Sequence, residues 1–152
     1  MANYRDVGIS DAPFKAGVDL TQKQYYWVAP GSVAGEVIVA VGPSGNPWPL
    51  GILQNSPSSG QEAQVRVFGF SKSATRATNL CSVAWGRFLL CGSDGFSESR
   101  ETEAVSGASA HTGSAVVARY MDSGTLSVNT CALAQVLIFP FPQGTSGVMG
   151  AS

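Results

Sequence analysis

The cleanest alternation of apolar and polar positions lies in the segment Leu50–Phe70. Ala63, Val65, Val67 and Gly69 fall on one face of a period-two strand, and Glu62, Gln64 and Arg66 on the other. Gly51-Ile52-Leu53-Gln54 is a short β-prone run ahead of it. Between the two stands Asn55-Ser56-Pro57-Ser58-Ser59-Gly60, whose members turn a chain for separate reasons: Asn and Ser bond nearby backbone, Pro presets φ, and Gly admits positive φ. The pattern predicts a β-hairpin.

The same reading extends along the chain. Tyr25-Tyr26-Trp27-Val28 is aromatic and strand-prone and stops at Pro30-Gly31, and Glu36–Val41 puts Val37, Val39 and Val41 on one face. Gly42–Pro49 holds three prolines, which bar it from a sheet interior. Ser71–Asn79 is polar and without clear period, so it reads as a loop or a short helical turn. Arg87-Phe88-Leu89-Leu90 predicts a strand, Asp94-Gly95 a tight turn, and Ala115–Met121 a further strand. Thr130–Phe139 is the longest apolar run, the pattern of a strand covered on both faces. Ser97–Gly113, with Glu98, Arg100, Glu101 and Glu103, reads as an exposed loop or a short helix at Glu101–Val105. No amphipathic helix of normal length and no internal repeat is present. Short strands at turn-marked intervals predict an all-β body at residues 24–142, a small β-barrel or sandwich. Residues 1–23 carry Tyr4, Ile9, Phe14 and Leu20 without a sustained period, and predict an extended arm rather than part of the core. Residues 143–152, rich in Gly and Ser, predict a flexible C-terminal tail.

The hairpin also carries a resemblance. A short apolar strand, then Gln-Asn-x-Pro-x-x-Gly-Gln-Glu-Ala, then Val-x-Val-x-Gly, at Gly51–Gly69, resembles the core of small head decoration (capsid cement) proteins of tailed bacteriophages. A weaker similarity continues through Phe88–Gly95 and Ala132–Ile138. The resemblance implies a β-rich body on the outer surface of the capsid. It further implies a homotrimer that binds the major capsid protein, stabilises the shell by bridging its subunits and needs no cofactor.

Composition sharpens this picture. Only 12% of the 152 residues are charged while 44% are hydrophobic, against about 25% charged in ordinary globular domains. A surface so poor in charge predicts cover by other subunits, with a neutral-polar monomer as the alternative. The net charge is −1 and Lys and Arg form no cluster, so no phosphate-reading patch and no nucleic-acid partner are expected. No apolar run approaches the ~20 residues of a membrane span, and the first residues lack the apolar stretch of a signal peptide, so synthesis in the host cytoplasm is expected.

Catalytic chemistry has little to rest on. His111 is the single histidine, set in Ser109-Ala110-His111-Thr112-Gly113, and reads as an exposed loop residue, with no Gly-x-Ser-x-Gly elbow to support a triad. Glu98, Glu101 and Glu103 read as a solvated face, not a glycosidase pair. Cys81, Cys91 and Cys131 lack metal-ligand spacing and are expected as buried thiols. The aromatic residues carry more. Tyr25, Tyr26 and Trp27 are adjacent, so at least one points away from the core; Trp48 sits in the proline loop; Phe68 and Phe70 share a face with Arg66. With Tyr4 and Phe14 of the arm, Tyr26, Trp27, Trp48, Arg66, Phe68 and Phe70 are the interface candidates. A second sheet over the Arg66 face is the other reading of that strand. The expected function is a structural, non-enzymatic capsid role. Its rivals are a receptor- or glycan-binding surface module, with Trp48 and Tyr26 stacking on a sugar, and a small hydrolase resting on His111.

Overall fold

A computed structural model of the chain describes residues 10–41, 49–77, 82–92, 94–99 and 116–143. Among them are nine strands and no helix: β1 (Ser10–Ala16), β2 (Trp27–Pro30), β3 (Glu36–Val39), β4 (Gly51–Leu53), β5 (Glu62–Arg76), β6 (Phe88–Cys91), β7 (Ser97–Ser99), β8 (Val116–Tyr120) and β9 (Cys131–Gln143). The all-β expectation holds, and the pairings specify its form. Strands β1, β3, β2, β4 and β5 close on themselves through β1–β5, a five-stranded barrel. The remaining pairings run β5, β7, β6, β8, β9 and return through β5–β9, a second closed circuit. Each circuit is antiparallel except for one short parallel pair, β1–β3 in the first and β5–β7 in the second.

Both circuits use β5. Its first half, Glu62–Phe68, pairs with β1, and its second half, Gly69–Arg76, pairs with β9 on that edge. Gly69 stands at the handover with φ 92, a backbone state that glycine adopts without a Cβ clash. The ladder to β1 shifts register between Ser10 and Asp11, opposite Phe68 and Arg66, leaving Val67 as an extra residue on β5. The predicted hairpin strand thus runs on to Arg76, where the sequence suggested a loop. The reason lies in Ser71, Ser73 and Thr75, all buried. They alternate as a strand should, but small hydroxylated side chains give an interior face no apolar signature.

Two cores arise from the two circuits. Ala16, Leu20, Val28, Val37, Leu53, Ala63 and Val65 fill the first barrel, with Phe14 and Val67 packed against them. Leu89, Cys91, Ala118, Tyr120, Ala134, Val136 and Ile138 form the second, joined by Trp27, Ala29 and Ile52. Strands β2 and β4 therefore face both cores: Val28 and Leu53 point into the barrel, and Trp27, Ala29 and Ile52 point out of it into the second core. Trp27 is the largest of these buried links. Its indole Nε1 donates to Ser97 Oγ at 2.7 Å, and Ser97 Oγ lies 2.6 Å from Ser73 Oγ, so the polar edge of the ring is satisfied inside the second circuit.

The N-terminal segment departs from expectation. Residues 10–20 join the body instead of standing off as an arm. Asp11–Lys15 pair with Gln64, Val65 and their neighbours on β5. The hairpin tip then grips the end of β1 and the stretch up to Leu20. Ala16 N–H donates to the Gln61 carbonyl at 2.8 Å, Gly60 N–H to the Ala16 carbonyl at 2.7 Å, and Leu20 N–H to the Pro57 carbonyl at 3.0 Å. An irregular apolar pattern was a poor guide here because β1 closes a barrel, where one face meets a narrow interior and the other is exposed. At the other end β9 extends to Gln143, and residues 144–152 lie outside the described residues. Thr130–Phe139, read as covered on both faces, is buried on one: Ala134, Val136 and Ile138 point inward while Leu133 and Gln135 lie on the opposite phase, with Leu133 exposed.

Leu20, fully buried although it belongs to no strand, gives a direct test. Leu20→Ala should cost about 2–5 kcal/mol in urea unfolding, the range for buried leucine truncations. Deleting residues 1–20 should abolish the cooperative transition seen by circular dichroism. A truncated chain that melts cooperatively near the full-length temperature would show that the barrel closes without β1.

Candidate interaction surface

Three of the expected interface side chains are engaged within the fold. Trp27 is buried between the two cores. Phe14, opposite Ala63 on β5, packs against the first core. Arg66 binds Asp11 with both arms of a fork, Nε to Oδ1 at 2.7 Å and Nη2 to Oδ2 at 3.0 Å, and its Nη1 donates to the Phe70 carbonyl at 3.0 Å. This bidentate geometry fixes β1 to β5, so the guanidinium serves the barrel seam. Tyr26 is half-buried, with Phe96 edge-on at 4.9 Å between ring centroids and the Lys23 ammonium 4.6 Å over its ring. Phe68 remains at the surface, 37% exposed, and Phe70 is half-buried one residue beyond Gly69. Tyr4, Trp48, Cys81, His111, Glu101 and Glu103 lie outside the described residues.

A second group of charges closes the far end of β5. Arg76 reaches Asp94 at 3.0 and 3.3 Å and Glu98 more closely still, and its guanidinium carbon sits 5.0 Å from the Phe96 centroid. The Glu98 hydrogen bond raises the Arg76 pKa further above its ordinary value, against a smaller opposing effect of burial. Gly92 makes room for this cluster: a Cβ there would stand 2.4 Å from the Glu98 carboxyl. Cys91, adjacent, is buried, and burial, with the Glu98 and Asp94 charges adding to it, pushes its thiol up to about 12. Such a thiol is neutral and unreactive at physiological pH. Cys131 is exposed, contrary to the expectation of a buried thiol, because it lies in phase with the outward-facing Leu133 and Gln135 of β9. Among the described residues no group of three His, Cys, Asp or Glu could hold a metal ion.

An apolar open surface lies outside the candidates named from the sequence. Leu133 is 57% exposed and Phe88 42%. Phe88 lies opposite Arg119, Arg119 opposite Leu137, and Leu137 opposite Phe70, so one row crosses β6, β8, β9 and β5 on the outer face of the second circuit. The Arg119 guanidinium carbon lies 4.6 Å from the Phe88 centroid. Lys72 with Gln135, Ala74 with Leu133, and Arg76 with Cys131 continue the same face along β5 and β9. A signal for it was present: Leu133 and Leu137 are out of phase with the buried Ala134, Val136 and Ile138. A run apolar at both phases hides which phase is open.

No protein-family model and no curated protein matches the sequence. Among solved structures, the chain is similar to one described as "The crystal structure of head fiber gp8.5 N base in bacteriophage phi29". The likeness covers 88% of this chain and 97% of that one, with a TM-score of 0.51 and 12% sequence identity. At that identity it is a likeness of fold.

The two described cysteines should separate chemically. Brief iodoacetamide treatment of native protein at pH 8, followed by peptide mass mapping, should label Cys131 and spare Cys91 until denaturant is added. Because the Cys91 pKa is raised from 9.0 to about 12 on folding, its contribution to stability is intact below pH 9 and is lost as pH climbs from 9 toward 12. Cys91→Ala should therefore flatten the alkaline decline of stability over that window. Equal labelling of the two thiols in native protein would contradict the burial of Cys91.

Proposed function

We propose that this chain is a structural protein of a bacteriophage head. In this reading it sits on the outer surface of the capsid as a homotrimer and bridges major capsid protein subunits. The observation that carries the reading is the fold shared, over nearly the whole chain, with the base of a phage head fibre. The hairpin at Gly51–Gly69, which resembles decoration proteins, points the same way from the sequence. So does the low charge content, since subunit contacts replace solvent over part of the surface.

The mechanism would be mass action. A protein that binds the assembled shell and not its dissociated subunits stabilises the shell by its own binding free energy. Three copies joined as a trimer raise the effective concentration of each contact once the first has formed. Two closed circuits suit this role, because a closed barrel has no free edge on which a crowded neighbour can add a strand. The work is done by binding, with no catalytic step. A sugar-stacking role is less well supported: Tyr26, one of its two aromatic residues, already has Phe96 against it and Lys23 over it.

Two measurements test the proposal. Sedimentation equilibrium of purified protein, or of protein released from heads, should give about three times the 15.7 kDa chain mass. Quantitative mass spectrometry of purified virions should find copies in the hundreds, the order set by a repeating capsid lattice. Absence from virions would end the capsid reading. A handful of copies would instead make the chain a component of a fibre or tail.

A further inference from the structure

We propose that the outer face of β6, β8, β9 and β5, centred on Arg119, docks a protein surface that presents a carboxylate between apolar side chains. The proposal rests on the capsid reading for the identity of the partner, and on the chain's own residues for the face and its chemistry.

Arg119 is the starting point. Its Nε is buried and, among the described residues, has no hydrogen-bond acceptor. A donor without an acceptor is costly where water is excluded, and Arg119 has no ion pair among the described residues either, so its charge is uncompensated within the described fold. The guanidinium forks of Arg66 and Arg76 are taken, the first by Asp11 and the second by Asp94 and Glu98. Lys15 is taken by Glu36. Asp122, close in sequence to Arg119, turns its carboxylate back to accept the Ser123 N–H at 2.9 Å. The outer face around Arg119 therefore holds two cations, Arg119 and Lys72, that have no ion pair among the described residues.

The flanks define the rest of the partner. Phe88 stacks against the guanidinium on one side, and Leu137 and then Phe70 continue the row on the other, with Leu133 exposed further along the same face. An arginine held on an aromatic ring and bordered by aliphatic side chains has the composition of the energetic centre of a protein interface. Phosphate backbones ask for something else, several spaced cations and few apolar groups. Two cations amid this much hydrocarbon fit a protein carboxylate better. Such a partner would give the Arg119 guanidinium a counter-charge and cover Phe88 and Leu133 in one step.

Cys131 provides a native handle, because it lies on β9 two residues before Leu133, on the same face, with an exposed thiol. The test uses phage heads assembled without this chain, mixed with the purified protein in a Cys81→Ser background, with the bound fraction read after sedimentation. Arg119→Gln and Leu133→Asp should each lower binding at least tenfold while the thermal melt stays within a few degrees. Val33→Ser, at an exposed position in the β2–β3 connection, should bind as the parent does. N-ethylmaleimide on Cys131 should reproduce the loss, and so should capping the carboxylates of the heads with carbodiimide and an amine. Leu133→Asp and the Cys131 adduct alter exposed positions only, so they decide the matter even if Arg119→Gln fails to fold. Full binding by these variants and the adduct overturns the docking face while leaving the capsid reading in place. Competition by DNA, with no effect of carboxylate capping, overturns it in favour of a phosphate partner. Failure of the parent protein to bind heads overturns the capsid reading and this proposal together.

Discussion

The backbone hydrogen bonds of β5 are the constraint on which the molecule depends. Over fifteen residues this strand must find partners on both edges, since unpaired N–H and C=O groups in a covered strand are costly. No single neighbour is long enough to supply them. On one edge β1 serves the first half and β9 the second; on the other, β4 serves Val65 and Arg66 in the first half and β7 the end. Two small cores arise, and a strand that carries the extra residue Val67 and the positive-φ Gly69 belongs to both circuits. Trp27, Ala29 and Ile52 then join the cores from the outer face of the barrel, so the second core is completed by residues of the first circuit.

Legibility in the sequence depended on how each strand meets its surroundings. The β4–β5 hairpin was plain because its apolar positions alternate and its turn residues have unambiguous backbone roles. Strands β3, β6 and β8 were placed to within a residue or two for the same reason. The second half of β5 was hidden because its interior face is Ser71, Ser73 and Thr75, whose hydroxyls bond to neighbouring polar groups instead of presenting hydrocarbon. Strand β7 was hidden likewise by Ser97 and Ser99 in a charged stretch. β1 was hidden because barrel closure is a long-range event: Asp11 and Arg66 mean little until they are known to be neighbours.

The surface was harder to read than the core. Three adjacent aromatic residues, Tyr25, Tyr26 and Trp27, must point to both faces of a strand. Trp27 does point out of the barrel, but that face of β2 is covered too: Tyr25, Trp27 and Ala29 pack in the second core while Val28 packs in the first. The chain's few charges tell a parallel story. Many of the described ones serve internal seams, β1 to β5, β1 to β3, and β5 to the β6–β7 turn. Arg119 and Lys72 depart from that pattern, a property of pairing partners that composition does not contain.

The order of the strands gives the shared β5 a consequence during synthesis. Every pairing of the first barrel lies within residues 10–68, and the second circuit closes only when β9, beginning at Cys131, has left the ribosome. Translation at ~5–20 residues per second leaves several seconds in which the first barrel can form alone. During that interval the second half of β5 has bare edges, and Trp27, Ala29 and Ile52 form an apolar patch with nothing over it. The vulnerable species is thus a half-built chain with a finished barrel and an open strand. Residues 69–76 are where a nascent neighbour on the same message, or a chaperone, would find something to hold.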